Sequence, residues 1–184
     1  MKNYMDRYEH YSKLFYEELK NRRDLDRAVN IPILVITTLI AFLTYIIEAL
    51  DYKTGFFNLQ IKEKIIMILV LIIFLFLILS IINVIKSYNN HLKGYNYEIL
   101  GSNQEFENYR EDLIEYKNNY GDEVEFNPEK KFKSELIKKI VFATDNNSEI
   151  NIKRNHYLFL AKRHIVIALV LSFVTFITLV IEKI

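Results

Sequence analysis

IIMILVLIIFLFLILSIINVI, residues 65–85, is a run of 21 residues without a charged side chain. As an α-helix it is about 32 Å long, against a bilayer hydrocarbon core of about 30 Å. A core helix of a soluble domain has a polar face, and this run has none, so it predicts a transmembrane helix. Two further runs lie on either side of it. IPILVITTLIAFLTYII (31–47) and IVIALVLSFVTFITLVI (165–181) are also free of charge, and at 17 residues each sits at the short limit for a span. Tyr45, Leu50 and Tyr52 can extend the first, and Tyr157 to Ala161 precede the third. The reading is an all-α membrane protein with three transmembrane helices, at 31–50, 64–86 and 163–184.

Composition agrees with long helices. Among 184 residues there are 4 Gly and 2 Pro, too few for a turn-rich all-β fold. The absence of Cys excludes disulfide scaffolds, Cys-based zinc sites and Cys nucleophiles. Lys+Arg is 24 and Asp+Glu is 23, so no global charge points to duplex nucleic acid. About thirty residues rich in charge precede the first run, and no A-x-A-like site follows it, so it does not read as a cleaved signal peptide.

The positive-inside rule orients the spans. Residues 1–30 carry 7 Lys/Arg and residues 86–164 carry 13, whereas the loop 48–64 carries 3. Three spans with the N-terminus inside put both basic stretches in the cytoplasm and the C-terminus outside. Tyr45, Tyr52, Phe56 and Phe57 then form an outer interfacial belt.

The remaining chain reads as cytoplasmic helices, at 1–30 and across 88–162. Tyr4, Tyr8, Tyr11, Phe15 and Leu19 make an apolar stripe on a charged helix that ends in Arg22, Arg23 and Arg27. Pro32 fits a first helical turn but not an interior, so a cap or kink is expected at Asn30-Ile31-Pro32. The second span is expected to run on toward His91, and Gly94 and Gly101 break the pattern. Ser102-x-x-Glu105 is a capping box. Phe106, Tyr109, Leu113, Tyr116 and Tyr120 continue at helical spacing until Gly121, and an acidic loop follows at 122–127. Asn127-Pro128 is a cap with a first-turn proline. Phe132, Leu136, Ile140 and Ala143 then form a stripe whose line passes into Thr144, Asn147, Asn151 and Arg154. That polar run is either a contact surface, a solvated face, or a break around Asp145–Ser148.

Catalytic motifs are missing. The four His stand in no metal spacing, and there is no P-loop, G-x-S-x-G or G-x-G-x-x-G. Neither an enzyme nor a cofactor is expected. Arg163 and His164 border the third run and suit snorkelling to headgroups. The spans carry a subtler pattern. Thr37, Ala41, Thr44 and Glu48 form one small-and-polar stripe, and Ala168, Ser172, Thr175, Thr178 and Glu182 a broadly similar one. The second span, apart from Ser80 and Asn83, is left to face lipid. The stripes serve close helix packing or line a pore. Three helices cannot enclose a wide aqueous path, so pore lining requires a homo-oligomer, in which a ring of Glu48 favours cations.

An Arg pair on a charged first helix, followed by an Ile-Pro start to a hairpin of spans, resembles the SLATT family of bacterial membrane effectors. Ala143 to Asn151, with Arg154 and Tyr157-Leu158 before a last span, is similar to one subgroup's C-terminal part. The family is usually described with two spans, and this chain has a third. The resemblance implies a homo-oligomeric channel, with a tetramer favoured, in a bacterial cell membrane. It implies an effector of CBASS-like or Hailong-type antiphage systems, whose opening depolarises the membrane and arrests growth. It further implies that a partner nucleotidyltransferase supplies a nucleotide or oligonucleotide signal that gates the cytoplasmic helices. Arg22, Arg23, Asn147, Asn151, Arg154 and Tyr157 are chemically suited to that ligand. The alternative reading is a non-conducting anchor or scaffold that recruits a soluble partner.

Overall fold

The computed structural model describes residues 2–49, 60–88, 94–121 and 126–182. Leu50, Tyr52, Phe56 and Phe57, the continuation through Asn89 to His91, and the acidic residues at 122–125 lie outside the described residues, as does the side chain of Tyr4. Five helices follow in order: α1 (Lys2–Ala28), α2 (Asn30–Ala49), α3 (Ile61–Ser87), α4 (Asn103–Asn119) and α5 (Pro128–Glu182). No strand occurs among the described residues. Three stretches, within Asp6–Glu48, Ile61–Ser87 and Pro128–Val180, are long and apolar enough to cross a membrane. The chain divides into two compact units. The first holds Met1–Arg23 and Tyr95–Ile152, and the second Asp24–Gly94 and Lys153–Ile184.

The second unit contains the three apolar runs, and each helix in it buries one stripe. The end of α1 and α2 bury Leu25, Val29, Pro32, Ile36, Leu39, Leu43 and Ile46. Helix α3 buries Ile66, Val70, Ile73, Leu77, Ser80, Val84 and Ser87. Helix α5 buries Arg154, Leu158, Ala161, Ile165, Ala168, Ser172, Thr175 and Leu179. All three stripes alternate steps of four and three residues, a 3.5-residue period that keeps a seam facing its partners in a left-handed coil. Ala161 and Ala168 are fully buried and let backbones approach closely. The opposite faces of α3 and of the last part of α5 remain apolar and exposed, with Leu71 61%, Phe74 50% and Phe173 65% accessible. Such faces suit a hydrocarbon solvent.

The second span is therefore not simply a lipid-facing helix. Its Ile66 and Ile73 are fully buried, and its two polar residues, Ser80 and Asn83, mark the buried side. Its helix also ends earlier than the sequence predicts: Tyr88 is extended (ψ 131°) and caps it through a bond from its N–H to the Val84 carbonyl. At the other junction, a single turn residue, Val29, separates α1 from α2. The Val29 N–H reaches the Leu25 carbonyl at 3.3 Å, and the Ile33 N–H reaches the Val29 carbonyl at 3.4 Å. Pro32, buried in the first turn of α2, has no N–H to continue the ladder, which accounts for the break.

In the first unit, the α1 stripe of Tyr11, Phe15 and Leu19 packs with Leu136, Ile140 and Ala143 of α5 and with Leu100. The capping box opens α4. Ser102 Oγ accepts from the Glu105 N–H at 3.2 Å, and Glu105 Oε2 accepts from the Ser102 N–H at 3.1 Å. A Cβ at residue 101 would lie 2.5 Å from that carboxylate oxygen, so glycine leaves it room. Helix α4 buries no residue fully, and it lies against α5 through Tyr109 with Phe132 and through Arg110, which donates to Glu129. Glu129, then Glu107, raises the Arg110 guanidinium above its usual range. Asn127 Oδ1 caps α5 by accepting from the Lys130 N–H at 3.0 Å. Farther along α5, Lys138 donates to Glu135 at 3.0 Å and holds that carboxyl below the usual carboxylate range.

Candidate functional site

Helix α5 does not break at Asp145–Ser148. The polar residues of the stripe are neither solvated nor in a loop. Thr144, Asn147, Asn151 and Arg154 are buried, Asn147 and Arg154 completely. Asn and Thr are mediocre helix formers, so each must be secured by what it bonds.

In the first unit, that partner is the segment at residues 95–100, which lies in neither helix nor strand. Asn147 clamps Glu98 by its backbone: Oδ1 accepts from the Glu98 N–H at 2.9 Å and Nδ2 donates to the Glu98 carbonyl at 3.0 Å. Asn146 donates to the Asn96 carbonyl at 3.1 Å. Asn151 Oδ1 accepts from the Tyr97 hydroxyl at 2.6 Å. The same amide donates to the carbonyl of Glu18 at 2.9 Å and to its carboxylate at 2.8 Å. The Arg22 guanidinium lies over the Tyr97 ring, 4.4 Å from its centroid. Two asparagines thus bind a strap of backbone as a neighbouring strand would. Asn147→Ala removes both bonds to Glu98. The expected cost is about 1–3 kcal/mol, concentrated in the strap. Hydrogen exchange should accelerate at residues 95–100 and stay slow in α3; unchanged exchange in the strap contradicts this role.

In the second unit, Arg154 joins three elements. Its Nε donates to the Ser87 carbonyl at 2.8 Å, at the end of α3. Its terminal nitrogen pairs with Asp26 of α1 at 2.5 Å. Ser87 Oγ donates back to the Arg154 carbonyl at 2.9 Å. The guanidinium is fully buried, whereas the Asp26 side chain is 41% exposed. A cation at a helix C-terminus also meets the negative end of the helix dipole. Seven residues farther along each helix, Ser80 Oγ donates to the Ala161 carbonyl at 3.1 Å. The two serines hold α3 and α5 in one antiparallel register. Tyr157 is half-buried with Lys86 Nζ 5.5 Å from its ring centroid, and Arg23 is exposed.

The candidate pore stripes separate. Thr37, Ala41, Thr44 and Glu48 are exposed on α2, and the threonine hydroxyls bond to their own helix, Thr37 to the Leu34 carbonyl and Thr44 to the Ile40 carbonyl. Ser172 and Thr175 are buried among the three helices, so they share no surface with the α2 stripe and sit where packing residues sit. Thr175 donates to the Leu171 carbonyl at 2.8 Å, and Ser172 Oγ has no hydrogen-bond partner among the described residues.

Sequence reasoning found one side of each bond. It missed Glu18, Tyr97 and the Glu98 backbone as partners of the asparagines, and Asp26 and Ser87 as partners of Arg154. One signal was available: in α5, Ile137, Ile140, Thr144, Asn147, Asn151, Arg154, Leu158 and Ala161 keep the same three–four alternation. Polar residues holding core positions of a heptad predict buried partners. Among the described residues, no group of three or more His, Asp or Glu is placed to hold a metal ion. No family model, curated protein or solved structure matches the chain.

Proposed function

We propose that the chain is a pore-forming effector of a bacterial cell membrane that works as a homo-oligomer, with a tetramer favoured. It acts in a nucleotide-signalled antiphage system, and its opening depolarises the membrane and arrests growth. The N-terminus and the basic helices lie in the cytoplasm, and the C-terminus lies outside. A nucleotide or oligonucleotide from a partner nucleotidyltransferase acts on the cytoplasmic helices.

The observation that carries this reading is the outward stripe of Thr37, Ala41, Thr44 and Glu48 on α2. Small and polar residues on the outer face of a span fit a helix–helix interface or a water-filled path better than lipid. A carboxylate repeated around an axis attracts cations. Gating is carried by α5, which runs from Pro128 to Glu182 without interruption.

The alternative is an anchor or scaffold that does not conduct. It is favoured by the way Asn147, Asn151 and Arg154 spend their bonding capacity inside the fold. Planar-bilayer recording of the purified chain separates the two. A channel gives discrete current steps, with or without nucleotide according to the sign of gating. Verified incorporation with no current under either condition supports the anchor.

A further inference from the structure

His164 stands directly before the charge-free run of α5, and Asn83 stands near the end of the run in α3. Both belong to the second unit. Asn83 is buried, and His164 is half-buried. Asn83 Nδ2 donates to the Leu79 carbonyl of its own helix at 2.7 Å, and it lies 3.4 Å from His164 Nδ1. The imidazole ring is 6.0 Å from that of Phe76, which has no acceptor atom to offer.

Only one arrangement of hydrogens fits this pair. An Asn83 amide turned over would set Oδ1 against the Leu79 carbonyl, oxygen to oxygen, at 2.7 Å. The carbonyl therefore pins Nδ2 in place. One of its hydrogens goes to Leu79, and the other points at His164. Nδ1 is then the acceptor, so the ring in this arrangement is neutral with its proton on Nε2.

A proton on Nδ1 removes that acceptor. An imidazolium presents N–H and C–H edges only, so no turn of the ring restores a bond to the pinned amide. Among the described residues, no ion pair takes its place. The runs 31–47 of α2 and 65–85 of α3 hold no charged residue. Lys86, the first charge after the α3 run, lies over the Tyr157 ring, and Lys162 and Arg163 are exposed neighbours of like sign on α5. Of the carboxylates described in this unit, Asp24 is exposed on α1, Asp26 is held by Arg154, Glu63 opens α3 and Glu48 closes α2. We propose that the bond between Asn83 and His164 is a proton-operated fastener between α3 and α5. It holds while the imidazole is neutral and lets go when Nδ1 takes a proton. The fastener needs neither conduction nor a second copy of the chain.

Nitrogen NMR of isotope-labelled histidine, on the full chain in lipid nanodiscs, tests the assignment. The chain has four His, so H10Q/H91Q/H156Q leaves His164 alone. At about pH 8 it should show the proton on Nε2, and at about pH 5 on both nitrogens. Electron–electron double resonance tests the release. Spin labels at I82C and F159C occupy exposed positions that the bonds from Ser80 to Ala161 and from Ser87 to Arg154 set level with each other. Their separation should lengthen by about 2 Å from about pH 8 to about pH 5. In H164Q, which does not titrate, and in N83A, which has no pinned donor, the separation should be the same at both pH values, with far-UV circular dichroism unchanged. A proton on Nδ1 at the higher pH, a ring still neutral at the lower one, a separation that ignores pH with His164 and Asn83 in place, or an equal lengthening in H164Q overturns the fastener.

Discussion

Arg154→Ala is expected to destabilise the second unit by about 2–4 kcal/mol. The substitution removes a charge-assisted bond to Asp26 and a bond to the Ser87 carbonyl, and it leaves a void where a fully buried side chain stood. Removing one partner of a buried ion pair often costs about 3–5 kcal/mol, because the other charge is stranded in the interior. Here the stranded group would be Asp26, and its half-exposed carboxylate can regain water, so the lower range applies. Asp26→Asn is the harsher test of charge, since it leaves the guanidinium inside without its counter-ion. The double variant should cost less than the sum of the single ones, with a coupling of about 1–2 kcal/mol. Arg154→Lys should recover only part of the stability, because an ammonium lacks the planar fork that reaches two elements at once. Thermal unfolding of the purified chain in detergent, followed by circular dichroism, gives all four values. A change below about 0.5 kcal/mol in Arg154→Ala would remove the clamp from the account.

Glu48→Gln should lower single-channel conductance to cations at low ionic strength by about tenfold, because a ring of carboxylates concentrates counter-ions at a pore mouth. Glu48→Lys should go further and reverse the preference from cations to anions. Both variants should fold normally, as Glu48 is exposed at the end of α2 and outside the buried stripe. The readout is the reversal potential under asymmetric salt, repeated at high salt, where screening should shrink the difference. An unchanged reversal potential in Glu48→Lys would take Glu48 out of the conducting path and favour the anchor.

Much of the architecture is legible in the residues. Three charge-free runs declare three apolar helices, because charge in hydrocarbon is too costly to hide. Ser102 and Glu105, and Asn127 before Pro128, mark helix starts through local hydrogen bonds that need no tertiary contact. Asn147, Asn151 and Arg154 are legible as a special face, but not as a buried one, because burial depends on what lies opposite. Their partners come from about 50 to 130 residues away in the chain, at Glu18, Asp26, Ser87 and Tyr97. Neither α1 nor the strap carries a pattern that names α5. The division of the two small-residue stripes was also hidden. Thr37 and Thr175 are alike in chemistry, and only the heptad register, which places Thr175 in the seam and Thr37 outside it, tells them apart.

The chain has no cysteine, so single cysteines can be placed without background reaction. A thiol facing water ionises and reacts with charged thiol reagents, and one facing lipid does not. Thr44→Cys probes the α2 stripe, and Phe173→Cys probes an exposed apolar face on α5. In planar bilayers, a membrane-impermeant charged reagent should alter the current of Thr44→Cys irreversibly and leave Phe173→Cys unaffected. If Thr44→Cys conducts and is as unreactive as Phe173→Cys, the α2 stripe does not line a pore.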